Sequence, residues 1–404
     1  MRELLSTRLG TDRSPTVLVI FASTLVSVMG VSLISPALPT IQAAWNVSTG
    51  QASLLISAFT FPGIVLTPFI GLVSDRIGRK RVLVPSLFLF GIGGFAVAFV
   101  GDFTTVLALR VVQGTAGSAI MSLTVTLLGD IFTGEQRSRF IGLNAAILAI
   151  GAAGYPLLGG GLALISWTVP FICFALAVFV AIAGSAILPD PKGESESGGL
   201  SYFIEAARAV PTRTALALYT AIFGIFVILY GAQLTVIPFV LDDSYGLSSG
   251  TIGLLLGLPA VAMGVTSTQS SRLLGYFSPL RLIALGFLTY GVGLSVAALT
   301  DSILVLAGAL FLFGFGQGFA EPITDTTLNA LTPDAFRGGI MSIRTSILQL
   351  GTTVGPPLFV TVASVVGYSE TLLVAGVTAF VIGIASIGYL TLFGSERTTS
   401  VQSS

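Results

Sequence analysis

The sequence predicts an all-α membrane protein with twelve transmembrane helices in two pseudo-symmetric bundles of six. Hydrophobic residues make up 53% of the 404-residue chain, and charged residues only 9%, whereas about a quarter of the residues in a soluble domain are charged. The mean hydropathy is +0.96. Twelve apolar runs have the ~20 residues that a helix needs to cross the hydrocarbon core of a bilayer. Basic residues flank these runs almost entirely on one side, which is typical of a multi-pass membrane protein.

The twelve apolar runs, numbered spans 1 to 12, fall into two groups of six. The first group covers residues 16–39, 52–72, 82–100, 104–128, 140–164 and 167–188. The second covers residues 213–239, 250–271, 281–300, 302–329, 340–366 and 369–394. We therefore predict an N-terminal bundle at 1–189, a cytoplasmic linker at 190–212 and a C-terminal bundle at 213–404. The linker is polar and rich in Gly, Ser and Pro, and its alternating residues 202–209 predict a short helix on the membrane surface.

The basic residues predict the orientation of the chain. If the N-terminus is cytoplasmic, all but one of the 18 lysines and arginines fall on the cytoplasmic side or within about one turn of it, as the positive-inside rule requires. The exception, Arg110, lies within span 4. An odd number of spans would break this pattern, so we expect both termini in the cytoplasm and the chain in the cell membrane.

The composition also excludes several classes of protein. The chain has no histidine and a single cysteine, Cys173, which excludes disulfide scaffolds and Ser-His or Cys-His catalysis. It also has no Walker-type phosphate-binding sequence. The first apolar run is too long for the core of a signal peptide, so we expect a retained first helix. We predict no enzyme activity, no metal or cofactor, no nucleic-acid partner and a monomer in the lipid bilayer.

A dense group of charges lies between spans 2 and 3, where it must sit at the membrane surface because charges are costly inside a bilayer. The group includes Gly71, Asp75, Arg76, Gly78, Arg79 and Lys80. It resembles the loop between helices 2 and 3 of the major facilitator superfamily, written G-x-L-a-D-r-x-G-r-k, from which only Val73 and Ser74 depart. The resemblance implies two rocking bundles that hold a small-molecule substrate between them near the middle of the membrane.

A second group of residues in span 4 is similar to the R-x-x-q-G signature of the same family. It consists of Arg110, Gln113 and Gly114. An arginine two turns inside a span must be hydrogen-bonded or face water. Arg110 is therefore either a functional group or a structural one that binds the carbonyl groups of neighbouring helices.

Span 5 carries a glycine pattern that resembles the g-x-x-x-G-P-x-x-G-G motif of the family's antiporters. Its residues are Gly151, Tyr155, Pro156, Gly159 and Gly160, and Tyr155 stands where the motif has glycine. Span 11 repeats part of it with Gly355 and Pro356. Glycines allow helices to approach closely and proline bends a helix. The pattern implies the twelve-helix drug:proton antiporter branch, which performs multidrug efflux.

The loop motif implies a conformational latch. In the family, its aspartate is thought to close the cytoplasmic side by meeting the second half of the chain. Here we expect Asp75 to approach the N-terminus of span 11, marked by Gly338 and Gly339, because a helix N-terminus attracts anions. Asp130, at the end of span 4, is expected to hold the arginines of the same loop.

Proton coupling requires a carboxyl group inside the membrane, and span 10 carries two. Glu321 and Asp325 lie four residues apart and therefore on one helix face. Asp325 lies about as deep as Arg344 of span 11, which predicts an ion pair. Glu321 lies one turn deeper without an evident cation, so we predict it as the proton site; a hydrogen-bonded structural carboxyl is the alternative.

Span 7 has an aromatic face with a polar end, spaced by alternating steps of four and three. The face consists of Tyr219, Phe223, Phe226, Tyr230 and Gln233. Such a face either binds a flat amphipathic solute or packs against neighbouring helices.

The sequence therefore predicts a secondary transporter that exports a hydrophobic or amphipathic solute by alternating access in exchange for protons. A uniporter or proton-coupled importer of a small metabolite is the alternative, and a membrane sensor that does not transport is another.

Overall fold

The computed structural model describes residues 14–189, 212–333 and 336–393. Within these residues the chain forms twelve helices long and apolar enough to cross a membrane, which confirms the predicted number. Most of the predicted linker (190–211), including the helix expected at 202–209, lies outside the described residues.

The spanning helices are numbered α1 to α12 in chain order. In the first half they are α1 (Ser14–Ser32, continued by Leu38–Trp45), α2 (Thr49–Ile77), α3 (Arg79–Ala96), α4 (Phe103–Ile131), α5 (Gly134–Ala163) and α6 (Val169–Ile172, continued by Leu176–Ile187). In the second half they are α7 (Thr212–Ile228, continued by Leu229–Val236 and Ile237–Asp243), α8 (Ser249–Leu273), α9 (Pro279–Leu299), α10 (Ile303–Ala330), α11 (Arg337–Val366) and α12 (Tyr368–Phe393).

Helix α1 is longer than its apolar run. The run was expected to end at Pro39, but one 3₁₀ turn at Ser35–Ala37 leads directly into Leu38–Trp45. Pro39 lies in the first turn of this second segment. A backbone N–H at that position would have no acceptor within the helix, so a proline there costs no helical hydrogen bond. The helix ends at Asn46, which adopts the left-handed conformation with φ 50°.

The charged motif between spans 2 and 3 is a junction of two helices rather than an extended loop. Helix α2 continues through Asp75 and Arg76 to Ile77, and α3 begins at Arg79. Only Gly78 separates them, with φ 107°, a value that side chains disfavour. The motif charges therefore lie in the last turn of one helix and the first turn of the next.

Glycines allow the fifth helix of each half to pack closely on another helix. A Cβ on Gly159 of α5 would collide with the Leu33 carbonyl of α1. Likewise, a Cβ on Gly355 of α11 would press on the Val227 carbonyl of α7. The fifth helix of each half thus packs on the first helix of that half, in agreement with two related bundles.

The helix termini define the two ends of the bundle, which we call the Asp75 end (α2–α3 junction) and the Asn46 end (α1–α2 junction). Among the described residues, three hydrogen bonds join the halves at the Asn46 end. Ser35 Oγ donates to the Leu234 carbonyl at 2.6 Å, and the hydroxyls of Thr40 and Ser249 lie 2.7 Å apart. The Thr49 and Tyr368 hydroxyls lie 2.6 Å apart. The bundle is therefore closed at the Asn46 end.

Two helix pairs continue the contact between the halves toward the middle of the bundle. On one side α5 packs on α8 backbone to backbone, since a Cβ on Gly160 would collide with the Ser249 carbonyl and one on Gly253 with the Pro156 carbonyl. On the other side α2 meets α11, where Thr353 Oγ1 donates to Thr60 Oγ1 at 3.0 Å.

Candidate functional site

An ion pair joins α10 and α11 in the second half, as their similar depth predicted. Arg344 Nε donates to one oxygen of Asp325 at 2.7 Å, and Arg344 Nη2 donates to the other at 2.5 Å. This two-point geometry fixes both side chains. The Asp325 side chain is 37% exposed, so it is not enclosed in the packed core.

Glu321 lies one turn from Asp325 on the same face of α10, and it is partly exposed. The sequence suggested no evident cation for it, and in the structure Arg344, which is bound to Asp325, is close enough to act on Glu321 electrostatically. Because Arg344 binds Asp325, which lies one turn from Glu321 on α10, its guanidinium lies near both acids. Gln317, one turn further along α10, lies beside Glu321 on its other side.

Two tyrosines complete this central cluster of Gln317, Glu321, Asp325, Arg344, Tyr230 and Tyr290. Tyr230 of α7 and Tyr290 of α9 both lie close enough to Glu321 to interact with it electrostatically. Tyr230 packs against the apolar cores of both halves, so the cluster reaches the boundary between them. The Tyr290 hydroxyl is buried without a hydrogen-bond partner among the described residues.

The predicted aromatic face of α7 is interrupted by a change of helix type. The helix is α-helical up to Ile228 and π-helical over Leu229–Val236, and Thr235 Oγ1 accordingly donates to the Tyr230 carbonyl five residues earlier. In the wider π turn, steps of four and three no longer keep Gln233 in line with Tyr219. The prediction of a single continuous face is therefore wrong at its polar end. Turns of this kind are frequent at functional sites.

The remaining members of that face lie near the central cluster or carry free polar atoms. The guanidinium of Arg344 lies 6.0 Å from the ring centre of Phe226, while Phe223 is partly buried. The hydroxyl of Tyr219 and Oε1 of Gln233 are buried with no hydrogen-bond partner among the described residues.

Arg110 lies in the core of the first half and is fully buried. Its guanidinium donates to the Leu55 carbonyl of α2 at 2.9 Å, the Gly30 carbonyl of α1 at 2.5 Å and Gln113 Oε1 at 2.6 Å. It also lies 4.6 Å from the ring centre of Phe59. Arg110 therefore joins three helices. Of the two roles that the sequence left open, this arrangement corresponds to the structural one.

The charged motif at the Asp75 end is organised around Arg79. Its Nε donates to Asp130 at the end of α4 at 3.0 Å, and its Nη1 donates to Ser74 Oγ at 2.6 Å. Arg79 also forms an ion pair with Asp75. Arg76 is exposed and Lys80 half-buried. Ser74, which departs from the family pattern, thus accepts a hydrogen bond from the buried arginine.

The glycine pattern of α5 serves two interfaces at once. Gly159 faces α1 within the first half, and Gly160 faces α8 across the halves. Tyr155, in the place of a glycine, lies with its ring beside Gly151. Helix α5 runs through Pro156 without interruption, as α11 does through Pro356.

One buried polar pair escaped the sequence reasoning. Thr24 Oγ1 of α1 donates to Asn144 Oδ1 of α5 at 2.6 Å, and Asn144 is 3% exposed. An amide within an apolar span was the available signal, because such groups need a partner.

Comparison with known proteins agrees with this architecture. The sequence profile of the Major Facilitator Superfamily matches residues 20–240 and 218–404. The chain is 28% identical over 360 residues to the bacillibactin exporter of Bacillus subtilis (strain 168), covering 84% of this chain and 88% of that protein. It is 23% identical over 349 residues to the quinolone resistance protein NorA of Staphylococcus aureus (strain MRSA252), with the same coverage of both chains.

Solved structures share the fold at low sequence identity. A bacterial homologue of the human lysosomal transporter Spinster, in an inward-facing and unoccupied conformation, superposes with a TM-score of 0.80 at 16% identity, covering 95% of this chain and 97% of the other. The human organic anion transporter MFSD10 superposes with a TM-score of 0.70 at 18% identity, covering 94% and 100%. With twelve spanning helices in two related bundles and a profile that matches both halves, this chain is a transporter, not an enzyme, and belongs to the Major Facilitator Superfamily.

Proposed function

We propose that this transporter exports small hydrophobic or amphipathic compounds across the cell membrane in exchange for protons. The observation that carries the proposal is the central cluster, in which Glu321 lies beside the Asp325–Arg344 ion pair at the boundary between the halves. The names of two relatives, a bacillibactin exporter and a quinolone resistance protein, support export rather than import.

In this proposal, Glu321 is the group that takes up and releases the proton. The charges of Asp325 and Arg344 cancel. The net charge of the three groups is therefore −1 when Glu321 is ionised and zero when Glu321 is protonated. An uncompensated charge is costly in the low dielectric between two closed bundles. When no substrate is bound, protonation of Glu321 therefore favours the change between the two conformations of the transporter. Release of the proton then prepares the cavity for the next substrate.

The substrate is proposed to lie against α7. Tyr219, Phe223, Phe226 and Tyr230 offer aromatic surface to a flat apolar group. The unpartnered hydroxyl of Tyr219 is available to form a hydrogen bond with a polar group of the substrate, since a buried polar group gains when it finds a partner. No phosphate or sugar recognition is required.

We further propose that the Asp75 end faces the cytoplasm, with both chain termini on that side and the protein acting as a monomer. The observed closure at the Asn46 end then corresponds to a cavity directed toward the cytoplasm. In the opposite state, Asp75 would meet the N-terminus of α11 near Gly339 and close the Asp75 end, while the Asn46-end bonds break. These two sets of contacts constitute a two-state element.

The test is uptake of a fluoroquinolone into inverted membrane vesicles with an imposed pH gradient, acidic inside. We expect accumulation that collapses when nigericin removes the gradient. Glu321→Gln should abolish accumulation while preserving exchange of labelled for unlabelled compound, because an uncharged side chain permits switching but carries no proton. Glu135→Gln, in the first turn of α5 at the membrane surface, is the matched control and should accumulate normally.

The outcome also separates the alternatives. Downhill equilibration that is indifferent to nigericin and to Glu321→Gln would identify a uniporter. Movement driven in the opposite direction by the gradient would identify an importer. Absence of transport for dyes, antibiotics and metabolites alike, with a folded protein in the vesicles, would favour a sensor.

A further inference from the structure

A groove with a volume of ≈ 610 Å³ lies between α2 and α11, next to the contact between the two halves. This volume falls in the range of small-molecule binding sites. The side chains that line it are Leu54, Ser57, Ala58 and Phe61 of α2, Leu107 of α4, and Thr353, Val354, Pro357, Leu358 and Thr361 of α11. The groove is mainly apolar and lies in the half of the bundle nearer the Asn46 end.

The groove opens sideways, toward the surroundings of the bundle. Phe61 is 55% exposed and Leu358 46% exposed, and both lie well inside spanning helices. At this depth their surroundings are the acyl chains of the bilayer. The opening therefore faces lipid rather than water.

Ser57 at the wall of the groove has an unusual environment. Its side chain is 6% exposed, and its hydroxyl has no hydrogen-bond partner among the described residues. Four other hydroxyl side chains of α2 donate to a carbonyl three or four residues earlier: Ser53, Thr60, Thr67 and Ser74. A buried hydroxyl without a partner costs free energy, so the Ser57 hydroxyl is available to a ligand in the groove.

The depth of Ser57 matches the upper part of a lipid molecule. Helix α2 has 29 residues and is about 43 Å long, whereas the hydrocarbon core of a bilayer is ~30 Å thick. Ser57 lies about 12 Å from the start of the helix. It is therefore about 6 Å below the boundary of the hydrocarbon core at the Asn46 end, so a phospholipid seated in the groove must lie about 6 Å deeper than its neighbours for an ester carbonyl to reach Ser57.

We propose that this groove is a binding site for one phospholipid of the surrounding leaflet. One acyl chain lies between α2 and α11, and an ester carbonyl accepts a hydrogen bond from Ser57. The chain contacts residues of both halves beside the Thr60–Thr353 bond. The bound lipid thereby stabilises the conformation that is closed at the Asn46 end. This site is independent of the exported compound and of proton coupling.

The test is photo-crosslinking in proteoliposomes that contain phosphatidylglycerol with a diazirine in its acyl chain, followed by peptide mass spectrometry. We expect at least fivefold more adducts on the groove residues Ala58 and Leu358 than on Phe311 and Val377, which lie at a similar depth in α10 and α12 and are 43% and 50% exposed. An adduct frequency at the groove no higher than at those exposed positions would overturn the proposal.

Variants make the test specific. Ala58→Trp should fill the groove and lower its adducts about fivefold, with adducts on Val377 unchanged. Ser57→Ala should lower them about threefold, whereas Ser53→Ala, one turn away and already hydrogen-bonded to Gly50, should have no effect. If Ala58→Trp does not fold, the smaller Ala58→Leu serves in its place. Unchanged groove adducts in either filled variant or in Ser57→Ala would contradict the assignment.

Discussion

Among the arginines of the described residues, Arg110 and Arg344 lie furthest from the ends of their spanning helices, and their partners differ. Arg110 in the first half is fully buried and donates to three neutral oxygens on two neighbouring helices and its own. Arg344 in the second half donates to both oxygens of the Asp325 carboxylate, and its side chain is 15% exposed. The same residue type thus occurs in a closed network and in an open one.

The difference shows what distinguishes a structural charge from a candidate functional one in this protein. Every bond from Arg110 ends on a group that does not titrate, so its environment is the same in every protonation state. The pair of Arg344 and Asp325 has a second acid, Glu321, beside it, and the Asp325 side chain is partly exposed. A change of charge there alters the partners of Arg344. We therefore expect Arg110 to matter for stability and Arg344 for transport.

The largest effect is expected from Arg110→Leu. It removes three hydrogen bonds within the membrane, each worth about 0.6 to 1.7 kcal/mol, so the fold should lose about 2–5 kcal/mol. The measurement is thermal unfolding in detergent, with Arg272→Leu, an exposed arginine on α8, as the control. An Arg110→Leu protein as stable as the control but inactive would reverse the comparison and make Arg110 a functional residue.

A large effect on transport, with a smaller one on stability, is expected from Asp325→Asn. Arg344 loses its carboxylate partner and turns to Glu321. The guanidinium then stabilises the ionised form of Glu321 and opposes its protonation. Proton-driven uptake into vesicles should fall at least about tenfold, equivalent to ~1.4 kcal/mol, and the unfolding temperature should change less than in Arg110→Leu. Asp301→Asn, on the exposed connection before α10, is the control. Wild-type uptake by Asp325→Asn would show that the ion pair is only structural.

The smallest effect is expected from Gln113→Leu. Gln113 accepts one bond from Arg110 and donates one to the Phe90 carbonyl at 3.3 Å, so its loss should cost about 1 kcal/mol. Gln269→Leu, exposed on α8, should be neutral. Combined with Arg110→Leu the effects should be less than additive, because the two side chains share a bond. Full additivity would contradict the shared network.

Much of the architecture could be predicted from the sequence, because the membrane permits few solutions. Backbone groups in lipid must be satisfied within helices, so run length and charge placement predicted twelve spans and the position of the charged motif. Helix ends were less predictable. Helix α1 continues past Pro36 and Pro39, and α2 absorbs Asp75 and Arg76 into its last turn, because polar residues can extend a helix beyond the hydrocarbon core.

The candidate site was predicted in part. The spacing of Glu321 and Asp325 and the similar depth of Arg344 were enough to predict the ion pair. The π-helical segment of α7 was not predictable, since a periodicity argument assumes one helix type along a span. The hydrogen bond between Thr24 and Asn144 joins α1 to α5. It was not predictable, because no local sequence pattern indicates which distant helices become neighbours.

By itself the sequence determined the membrane class of the protein, its helix count, its internal duplication and the residues that can carry charge within the membrane. These properties follow from the cost of placing polar groups in hydrocarbon, which acts on each span separately. Only the tertiary structure decided that Arg110 is enclosed by carbonyl groups, that Arg344 lies within reach of two acids, and that Ser57 borders a groove open to lipid. These outcomes depend on how helices from distant parts of the chain pack together.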